Sequence, residues 1–520
     1  MELGERIKQI RKDAGLSQGA FAQLFSVSHQ SVQKWESGDS RPDIDKLEKI
    51  AKFANITLDE LVTGEKKGAI MPTYDKQHSW ESYAEQISVE FRQSVEEGLD
   101  IGEYEELFSV VRRMKRDEFK TKMANVLYEI VSSAKTVPGY KYFEPSDVET
   151  IRECRRRVAL PELKLSESEL REKVKGAWYG RICGCLLGKT VEGIRTEELH
   201  VLLKESGNFP MHRYIRRTDV TEEMLDTFSY KLGNRCYADK IEFAPADDDT
   251  NYTVLYQKVI EEYGRDFTPY DVSRAWLSKQ PINAYCTAER VAYCNFVKGF
   301  LPPASAVYQN PYREWIGAQI RGDYFGYVNP GDTEAAADMA WRDASISHIK
   351  NGIYGEMFAA AMIAAAAVTS DIEKIIEAGI GEIPENSRLY EAITHILENY
   401  RGGMSESDCF ADIHSRWDEH VGHDWCHTIS NAEIVAASLL YGRGDYGKSI
   451  CMAVQTGFDT DCNGATVGSV LGMRNGIGLI GDEWTAPIKG KLQTAIFGVD
   501  VIDIDDAVDV TMKHIREKNA

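Results

Sequence analysis

Residues 174–190 read VKGAWYGRICGCLLGKT, and glycine recurs in this stretch at every fourth position, at Gly176, Gly180, Gly184 and Gly188. Because an α-helix has 3.6 residues per turn, the four glycines lie on one face of a helix. Each glycine weakens a helix by about 1 kcal/mol. Their regular spacing therefore indicates a backbone that is closely approached, either by another helix or by a ligand. The same spacing returns at Gly464, Gly468 and Gly472.

The sequence around these two stretches predicts an all-α fold. From about residue 165 to 515, alanine and glycine are plentiful, strand-like alternation is rare, and no repeat of fixed period occurs. At about 150 residues per domain, 520 residues suggest about three units. We predict a helix-turn-helix domain over residues 1–66, a helical and candidate dimerising connector over 67–150, and a large helical catalytic domain over 151–520.

Charge and composition exclude several classes of protein. The net charge of −21 lies outside residues 1–67, which carry eleven basic and eleven acidic side chains. Such an acidic chain cannot coat nucleic acid or an anionic membrane over its whole surface. We expect neither a signal peptide nor a membrane span, because the longest apolar run, residues 357–368, is too short. The ten cysteines form no CxxC pair, which predicts reduced thiols and a cytoplasmic location.

The head, residues 3–64, has helix-turn-helix spacing. Ser17 is the expected N-cap of a helix over 18–25, and Ser28 that of a helix over 29–37, which Gly38 ends. The second helix would lie in the major groove, where glutamine pairs with adenine and lysine donates to guanine. The candidate DNA-contacting residues are Gln18, His29, Gln30, Ser31, Gln33 and Lys34.

The head resembles the phage-repressor-like (Cro/C1-type) helix-turn-helix family. The matching pieces are Leu16-Ser17-Gln18, Trp35-Glu36-Ser37-Gly38, Arg41-Pro42 and Leu58-Asp59-Glu60-Leu61. Ser26 stands where the turn in that family often has glycine. The resemblance implies DNA binding, and the zero net charge of the head favours a dimer on a two-fold operator. The alternative is a helix-turn-helix that makes only protein contacts.

Two groups of acids in the body suggest a metal site. Asp247, Asp248 and Asp249 precede an amphipathic helix, and Asp459 and Asp461 precede the second glycine-striped helix. The second group has apolar flanks, and residues 449–473 contain no Lys or Arg, so a metal ion is a sensible partner for buried carboxylates. Oxygen ligands suggest Mg²⁺, with Mn²⁺ or Ca²⁺ as substitutes, and two groups could hold two ions. The alternative is helix capping by solvated acids.

The body, over about residues 170–500, resembles the ADP-ribosylglycohydrolase family, which is all-α and uses two Mg²⁺ ions to hydrolyse bonds at the anomeric carbon of ADP-ribosyl groups. The resemblance rests on Gly184 through Val191-Glu192-Gly193, Asp248-Asp249-Thr250, Asn329-Pro330-Gly331, Arg342-Asp343-Ala344, Ser347-His348, Asn351-Gly352, Tyr354-Gly355, Trp425-Cys426-His427-Thr428 with Asn431, and Asp459-Thr460-Asp461.

The resemblance implies a role for each matching position. Glu192 and Asp249 would be catalytic. The metal ligands carried over would be Asp248, Asp249, Asp459 and Asp461, and the candidate set also includes Asp247 and Cys462, where this chain departs from the family pattern. The substrate-binding residues would be Ser347, His348, Asn351, Gly352, Tyr354, His427 and Asn431.

Two departures from the family pattern bear on the substrate. Asp247 stands where the family commonly has Thr, and Cys462 replaces another Thr, so a sulfur takes the place of a hard oxygen. An extra anion near the metals disfavours a diphosphate, so a simpler ribosyl compound is a candidate substrate beside an ADP-ribosylated macromolecule.

Three functions remain open on the sequence. The first is an active hydrolase carrying a DNA-binding head. The second is a transcriptional regulator whose hydrolase-like body senses a ribosyl ligand without turnover. The third is an enzyme that removes ADP-ribose from DNA itself. The complete set of acids favours the first, and the acidic body argues against the third.

Overall fold

A computed structural model describes residues 3–54, 56, 58–64 and 78–518. The chain divides into two compact units at residues 69 and 70. The predicted boundary at residues 66 and 67 falls outside the described residues. Among the described helices, none is both long and apolar enough to cross a membrane.

The smaller unit is a bundle of short helices around one core. Ser17 and Ser28 cap two of them as predicted, each accepting a hydrogen bond from the backbone three residues ahead. Gly38 ends the second with a left-handed φ of 82°. The core contains Phe21, Val32, Trp35, Ile50 and Leu61. The helices are α1 (Leu3–Asp13), α2 (Gln18–Leu24), α3 (His29–Ser37), α4 (Ile44–Ala54) and α5 (Leu58–Thr63).

The larger unit is also almost entirely helical, which confirms the all-α prediction. Its first part holds α6 (Ile87–Glu96), α7 (Glu105–Arg113), α8 (Glu118–Ser133) and α9 (Val148–Cys154). The remainder holds α10 (Glu167–Lys189), α11 (Thr196–Glu205), α12 (Glu222–Thr227), α13 (Asp248–Tyr263), α14 (Pro269–Lys279), α15 (Thr287–Val297), α16 (Ala304–Val307), α17 (Asp323–Tyr327), α18 (Thr333–Ala344), α19 (Lys350–Ala366), α20 (Ile372–Ile380), α21 (Arg388–Arg401), α22 (Glu406–Arg416), α23 (Gly422–Cys426), α24 (Thr428–Gly442), α25 (Tyr446–Gln455), α26 (Thr460–Asn475), α27 (Asp482–Thr485) and α28 (Ile504–Lys518).

Short 3₁₀ turns and one hairpin complete the larger unit. The turns are Ser79–Glu81, Tyr83–Glu85, Gly102–Tyr104, Arg217–Asp219, Ile282–Ala284, Gln319–Arg321, Ile477–Leu479 and Ala486–Ile488. Strands β1 (Lys491–Ile496) and β2 (Val499–Asp503) pair antiparallel and form the only sheet among the described residues. Backbone hydrogen bonds join Ala244 to Lys491 and Gln493, so the hairpin fixes the segment that leads into α13.

The two glycine-striped helices, α10 and α26, pack antiparallel against each other. Gly176 faces Gly472, Gly180 faces Gly468, and Gly184 faces Gly464, each so closely that an added Cβ would collide with the opposite backbone. Of the two interpretations open on the sequence, helix against helix is therefore correct. At the end of this glycine seam, Gly188 contacts the backbone of Thr460 and Asp461, and its carbonyl accepts a hydrogen bond from the Thr460 hydroxyl at 2.9 Å.

Residues 78–154 lie in the same compact unit as the rest of the body, and buried charges join the two. Arg313 binds Glu90 at 2.8 Å and Glu97 at 2.6 Å. Arg388 binds Glu144 at 2.8 Å and Glu314 at 2.7 Å. We call these six residues, with Glu96, which binds Arg92 at 2.8 Å, the paired cluster. Dimerisation through residues 67–150 stays a prediction.

Candidate metal centre and DNA-reading helix

Three segments bring the predicted acids together at one end of the glycine seam. The loop after α10 carries Glu192, the start of α13 carries Asp247–Asp249, and the start of α26 carries Asp459 and Asp461. Arg181 of α10 ties the first two segments, since its guanidinium donates to the Asp249 backbone carbonyl at 2.8 Å and to the Thr253 hydroxyl at 2.9 Å. We call the six acids the acid centre.

In the first group, two of the three aspartates are partnered by cations. Asp247 caps α13, because its carboxylate accepts a hydrogen bond from the Asp249 amide at 3.0 Å, and it forms an ion pair with Lys189. The Asp249 carboxylate binds Arg181 through one oxygen at 3.1 Å. The other oxygen, Asp249 Oδ2, is buried and accepts no hydrogen bond from the described residues.

The second group is held by amides instead of cations. Asn431 accepts hydrogen bonds from the Asp459 amide at 3.2 Å and from the Asn463 side chain at 2.8 Å, which fixes the start of α26. Asp461 Oδ1 is buried and has no hydrogen-bond partner among the described residues. Buried carboxylate oxygens without partners are costly, and a divalent cation satisfies them, so these residues fit a metal ion.

Burial and crowded negative charge also shift the pKa values of the acids in this centre. Burial and the charge of Glu192 raise the pKa of Asp459 to about 7 and that of Asp461 well above its ordinary value. Burial and the neighbouring aspartates likewise raise the pKa of Asp248. Burial would also raise the pKa of Asp247, but the Lys189 ammonium overcomes it and holds this pKa low. The acid centre thus carries more negative charge than its own cations balance.

Glu192 and Asp248 are the half-buried members of the acid centre. Burial raises the pKa of Glu192, while the charge of Lys189 opposes this rise. A half-buried carboxyl with a raised pKa is suited to exchanging a proton with a bound molecule.

Most predicted substrate-binding residues are buried, and each polar one has a partner inside the protein. Ser347 accepts a hydrogen bond from Arg321 at 3.0 Å and pairs with His348 at 2.8 Å. Asn351 donates to Glu144 and Glu314, both at 2.8 Å, and the Tyr354 hydroxyl donates to the Pro145 carbonyl. Gly352 packs against the Arg313 backbone. The ligand-binding role of this set stays a prediction.

The His427 ring belongs to a different part of the molecule. It stacks on Trp417 and lines a cavity of about 740 Å³ together with Glu96 and Arg388, and no member of the acid centre lines that cavity. Burial and the neighbouring His423 lower the pKa of His427 to about 3. Asn431, by contrast, touches the acid centre, but as a partner of Asp459 and Asn463.

Glu96, His423 and His427 lie close enough together to suggest a second metal site. Their hydrogen bonds argue against it. His423 Nδ1 accepts from the Trp315 indole at 3.1 Å, and His427 Nδ1 accepts from the Ile429 amide at 3.1 Å. In a neutral imidazole the other nitrogen, Nε2, then carries the proton and cannot ligate a metal.

Sequence reasoning missed several charged partners of the site. Arg181 and Lys189 both lie on the first glycine-striped helix, and a basic residue within a buried apolar helix was a usable signal. The contacts of Glu96 with His423 and of Glu144 with Arg388 gave no such signal, because each joins residues more than 200 apart in sequence.

In the smaller unit, α3 presents most of the predicted DNA-contacting residues to solvent. His29, Gln30, Gln33 and Lys34 are exposed, whereas Ser31 is half-buried and its hydroxyl pairs with that of Ser28 at 2.9 Å. Gln18 is half-buried and donates to Glu36 at 2.7 Å. Its contact with DNA stays a prediction. The turn residue Ser26 has a φ of 53°, the conformation that favours glycine.

Comparison with family models decides the relationship of the body. The model described as ADP-ribosylglycohydrolase matches residues 166–515. The chain belongs to the ADP-ribosylglycohydrolase family. A solved ADP-ribosylglycohydrolase-related protein complex is 16% identical, with a TM-score of 0.43, and the match covers 67% of this chain and 99% of that one. Residues 78–154, which bear Glu96 and Glu144, precede the part that matches the family.

The head matches the helix-turn-helix model over residues 7–61. It is 40% identical over 65 residues to the HTH-type transcriptional activator BcrR of Enterococcus faecalis, covering 12% of this chain and 32% of that protein. It is 30% identical over 76 residues to the HTH-type transcriptional regulator DicA of Escherichia coli, covering 15% and 56%. These matches span between a third and just over half of each regulator. The chain thus joins a helix-turn-helix DNA-binding domain to a domain of the ADP-ribosylglycohydrolase family.

Proposed function

We propose that the chain is a divalent-cation-dependent hydrolase of ribosyl or ADP-ribosyl glycosidic bonds, carrying a head that binds DNA sequence-specifically. One observation carries this proposal. Six acids from three distant segments meet in the acid centre, and two of their buried oxygens lack a hydrogen-bond partner among the described residues. In the paired cluster, by contrast, both oxygens of Glu144 and of Glu314 accept hydrogen bonds from protein donors.

Asp248, Asp459 and Asp461, with the unpartnered oxygen of Asp249, would hold the divalent cation, and on their oxygen atoms alone Mg²⁺ and Mn²⁺ are the candidates. When bound, such an ion would lower the pKa of a coordinated water and orient the ribose hydroxyls. We propose one or two ions at this centre, since the acids come from two groups.

The protein itself supplies the proton transfer and the orientation. Glu192, half-buried beside these acids, accepts the proton of the attacking water or returns it to the leaving group as C1 of the ribose becomes oxocarbenium-like. Arg181 and Lys189 hold Asp249 and Asp247 in place. Asn431 does the same for Asp459.

A substrate panel tests the enzyme proposal. The full chain with Mg²⁺ is incubated with ADP-ribosylated protein, ADP-ribosylated DNA, ADP-ribose and simple nucleosides, and products are identified by mass spectrometry. We expect hydrolysis of the bond at C1 of the ribose in at least one of these compounds. Both a chelator and Asp461→Asn should abolish this hydrolysis. The control is Asp500→Asn, which removes an exposed carboxyl outside the acid centre. Turnover that survives in Asp461→Asn would refute this site.

A mobility shift with DNA from upstream of the chain's own gene tests the head. We expect Gln33→Ala and Lys34→Ala to weaken binding by about 1–3 kcal/mol each, as loss of a base contact does. Lys49→Ala, an exposed lysine on α4, is the matched control. Equal affinities for all three variants would reject α3 as the reading helix.

A second candidate function is a regulator that senses a ribosyl ligand without turnover. The observation in its favour is Lys189, whose ammonium is already paired with Asp247 inside the acid centre. This function would be favoured over the hydrolase if no compound of the substrate panel is hydrolysed and if adding one of these compounds abolishes the mobility shift with DNA.

A further inference from the structure

A buried thiol lies beside each of the two groups of aspartates in the acid centre. Donor atoms of Cys185, Asp247 and Asp249 lie within 4.8 Å of one another, and so do those of Asp459, Asp461 and Cys462. All six residues are buried. Sulfur beside two carboxylates is a different donor set from the oxygen-only set that suits Mg²⁺.

Charge separates the two triads. In the first, Asp247 is paired with Lys189 and Asp249 with Arg181, so two cations already face two carboxylates. In the second, neither Asp459 nor Asp461 forms an ion pair with a Lys or Arg in the part of the chain that the structure describes. The second triad therefore attracts a cation more strongly than the first.

The second triad also has an oxygen in need of a partner. Asp461 is only 3% exposed, and its Oδ1 is buried without a hydrogen bond from any described residue. Cys462, which is 6% exposed, follows directly on the same first turn of α26. The Cys462 sulfur and a carboxylate oxygen of each of Asp459 and Asp461 thus lie within 4.8 Å of one another, and all three residues are buried.

We propose that Asp459, Asp461 and Cys462 bind a thiophilic divalent cation, of the Zn²⁺ or Co²⁺ class, through the Cys462 sulfur and the two carboxylates. The inference rests on the metal centre of the proposed function and names its cation class. On binding, the thiol releases its proton to solvent and a sulfur–metal bond forms. A soft ligand selects Zn²⁺ or Co²⁺ over Mg²⁺, whose bonds to sulfur are weak.

Co²⁺ is the probe for this site, because sulfur ligation gives a near-ultraviolet charge-transfer band that oxygen ligands do not. Metal-free full-length protein is titrated with Co²⁺ and followed by absorbance. We expect one sulfur band at saturation in the natural protein and its loss in Cys462→Ser, with visible d–d bands retained. We also expect Cys462→Ser to lower the affinity for Zn²⁺ at least about tenfold and to leave that for Mg²⁺ nearly unchanged.

Two cysteine variants serve as controls. Cys183→Ser changes a buried thiol on α10 that donates to the Trp484 carbonyl at 3.2 Å, a bond that serine can keep. Cys185→Ser changes the thiol of the first triad. Both should retain the sulfur band. Loss of the band in Cys185→Ser but not in Cys462→Ser would overturn the assignment to the second triad.

The other outcomes separate this inference from the proposed function. Co²⁺ binding with d–d bands but no sulfur band would overturn sulfur ligation and leave the metal centre standing. Failure of Co²⁺, Zn²⁺ and Mg²⁺ to bind by calorimetry would overturn both. If circular dichroism shows that Cys462→Ser is unfolded, the natural protein is titrated with Cd²⁺ instead. The absence of a sulfur–cadmium absorption band would then overturn the inference.

Discussion

The acid centre and the paired cluster are both buried groups of carboxylates, but their electrostatics are opposite. In the paired cluster, burial is outweighed by hydrogen bonds and charges, so His423 and Arg92 help to lower the pKa of Glu96 to about 2, and Arg388 lowers that of Glu314. In the acid centre, burial and like charges win, and the pKa of Asp459 rises to about 7. Carboxylates whose charge protein donors and cations already compensate hold the fold together, whereas buried carboxylates without such compensation are prepared for a ligand.

Removing a cation from the paired cluster should have the largest effect. Arg388→Leu leaves Glu144 and Glu314 buried without their shared partner, and we expect a loss of about 3–5 kcal/mol in unfolding free energy, measured by denaturant titration. Arg113→Ala, which breaks an exposed pair with Glu106, should cost less than about 1 kcal/mol. A similar cost for both variants would mean that the cluster contributes little.

The two regions should also respond oppositely to pH. Asp459 keeps its proton in the folded state up to about pH 7 but releases it near pH 4 when unfolded, so without metal its stabilising contribution falls as pH rises through this window. Glu96 contributes stability above its unfolded pKa that is lost as the pH falls toward about 2. We expect thermal unfolding in chelator to show falling stability from pH 5 to pH 8, by about 2–4 kcal/mol.

A divalent cation is the control for the pH experiment. Saturating Mg²⁺ holds the carboxylates ionised in the folded state, so it should flatten the alkaline side of the profile and leave the acid side unchanged. A profile that is identical with Mg²⁺ and with chelator would contradict metal binding at the acid centre.

The glycine seam supports the acid centre and offers a steric test. Gly184→Ala places a Cβ against the Gly464 backbone, so the helices must separate, at an expected cost of about 1–3 kcal/mol measured by thermal unfolding. It should also weaken Mg²⁺ binding, because α26 carries Asp459 and Asp461. Gly478→Ala, with no atom near the added Cβ, is the control. If Gly184→Ala leaves the melting temperature unchanged, α10 and α26 can separate enough to accept the Cβ without loss of stability.

Neutralising one acid in each region should give the smallest effects, with opposite signs. In chelator at pH 8, Asp459→Asn removes a buried, poorly compensated charge and should stabilise the protein by about 1 kcal/mol. Glu96→Gln weakens the hydrogen bonds from His423 and Arg92 and should destabilise it by about as much. Denaturant titration gives the unfolding free energy of both variants. If both free energies change in the same direction, the electrostatic distinction between the two regions is wrong.

Local signals in the sequence predicted much of this structure. The caps at Ser17 and Ser28 and the stop at Gly38 each depend on a few neighbouring residues, and all three were correct. The glycine spacing indicated close approach, yet it could not reveal that Gly184 faces Gly464, because pairing across 280 residues leaves no local trace. The hairpin at residues 491–503 was missed, since two short strands barely alter an otherwise helical composition.

The site shows the same limit. Carboxylates that are adjacent in sequence, such as Asp248 and Asp249, are a local signal, and they predicted a metal ligand set. Asn351 was expected to bind substrate, yet its amide is bound to Glu144 and Glu314. Glu144 comes from residues that precede the family match, so a family resemblance could not have supplied it.

The glycine seam has a consequence for how this domain can diversify. Because α10 and α26 are locked side by side, the loop of Glu192 and the start of α26 stay together whatever the length or sequence of the roughly 270 residues between them. Except at α13, which carries Asp247–Asp249 within that excursion, insertions, deletions and new loops can reshape what reaches the carboxylates without moving them. The seam therefore lets the surroundings of the Glu192 loop and of the start of α26 vary while these two segments stay side by side.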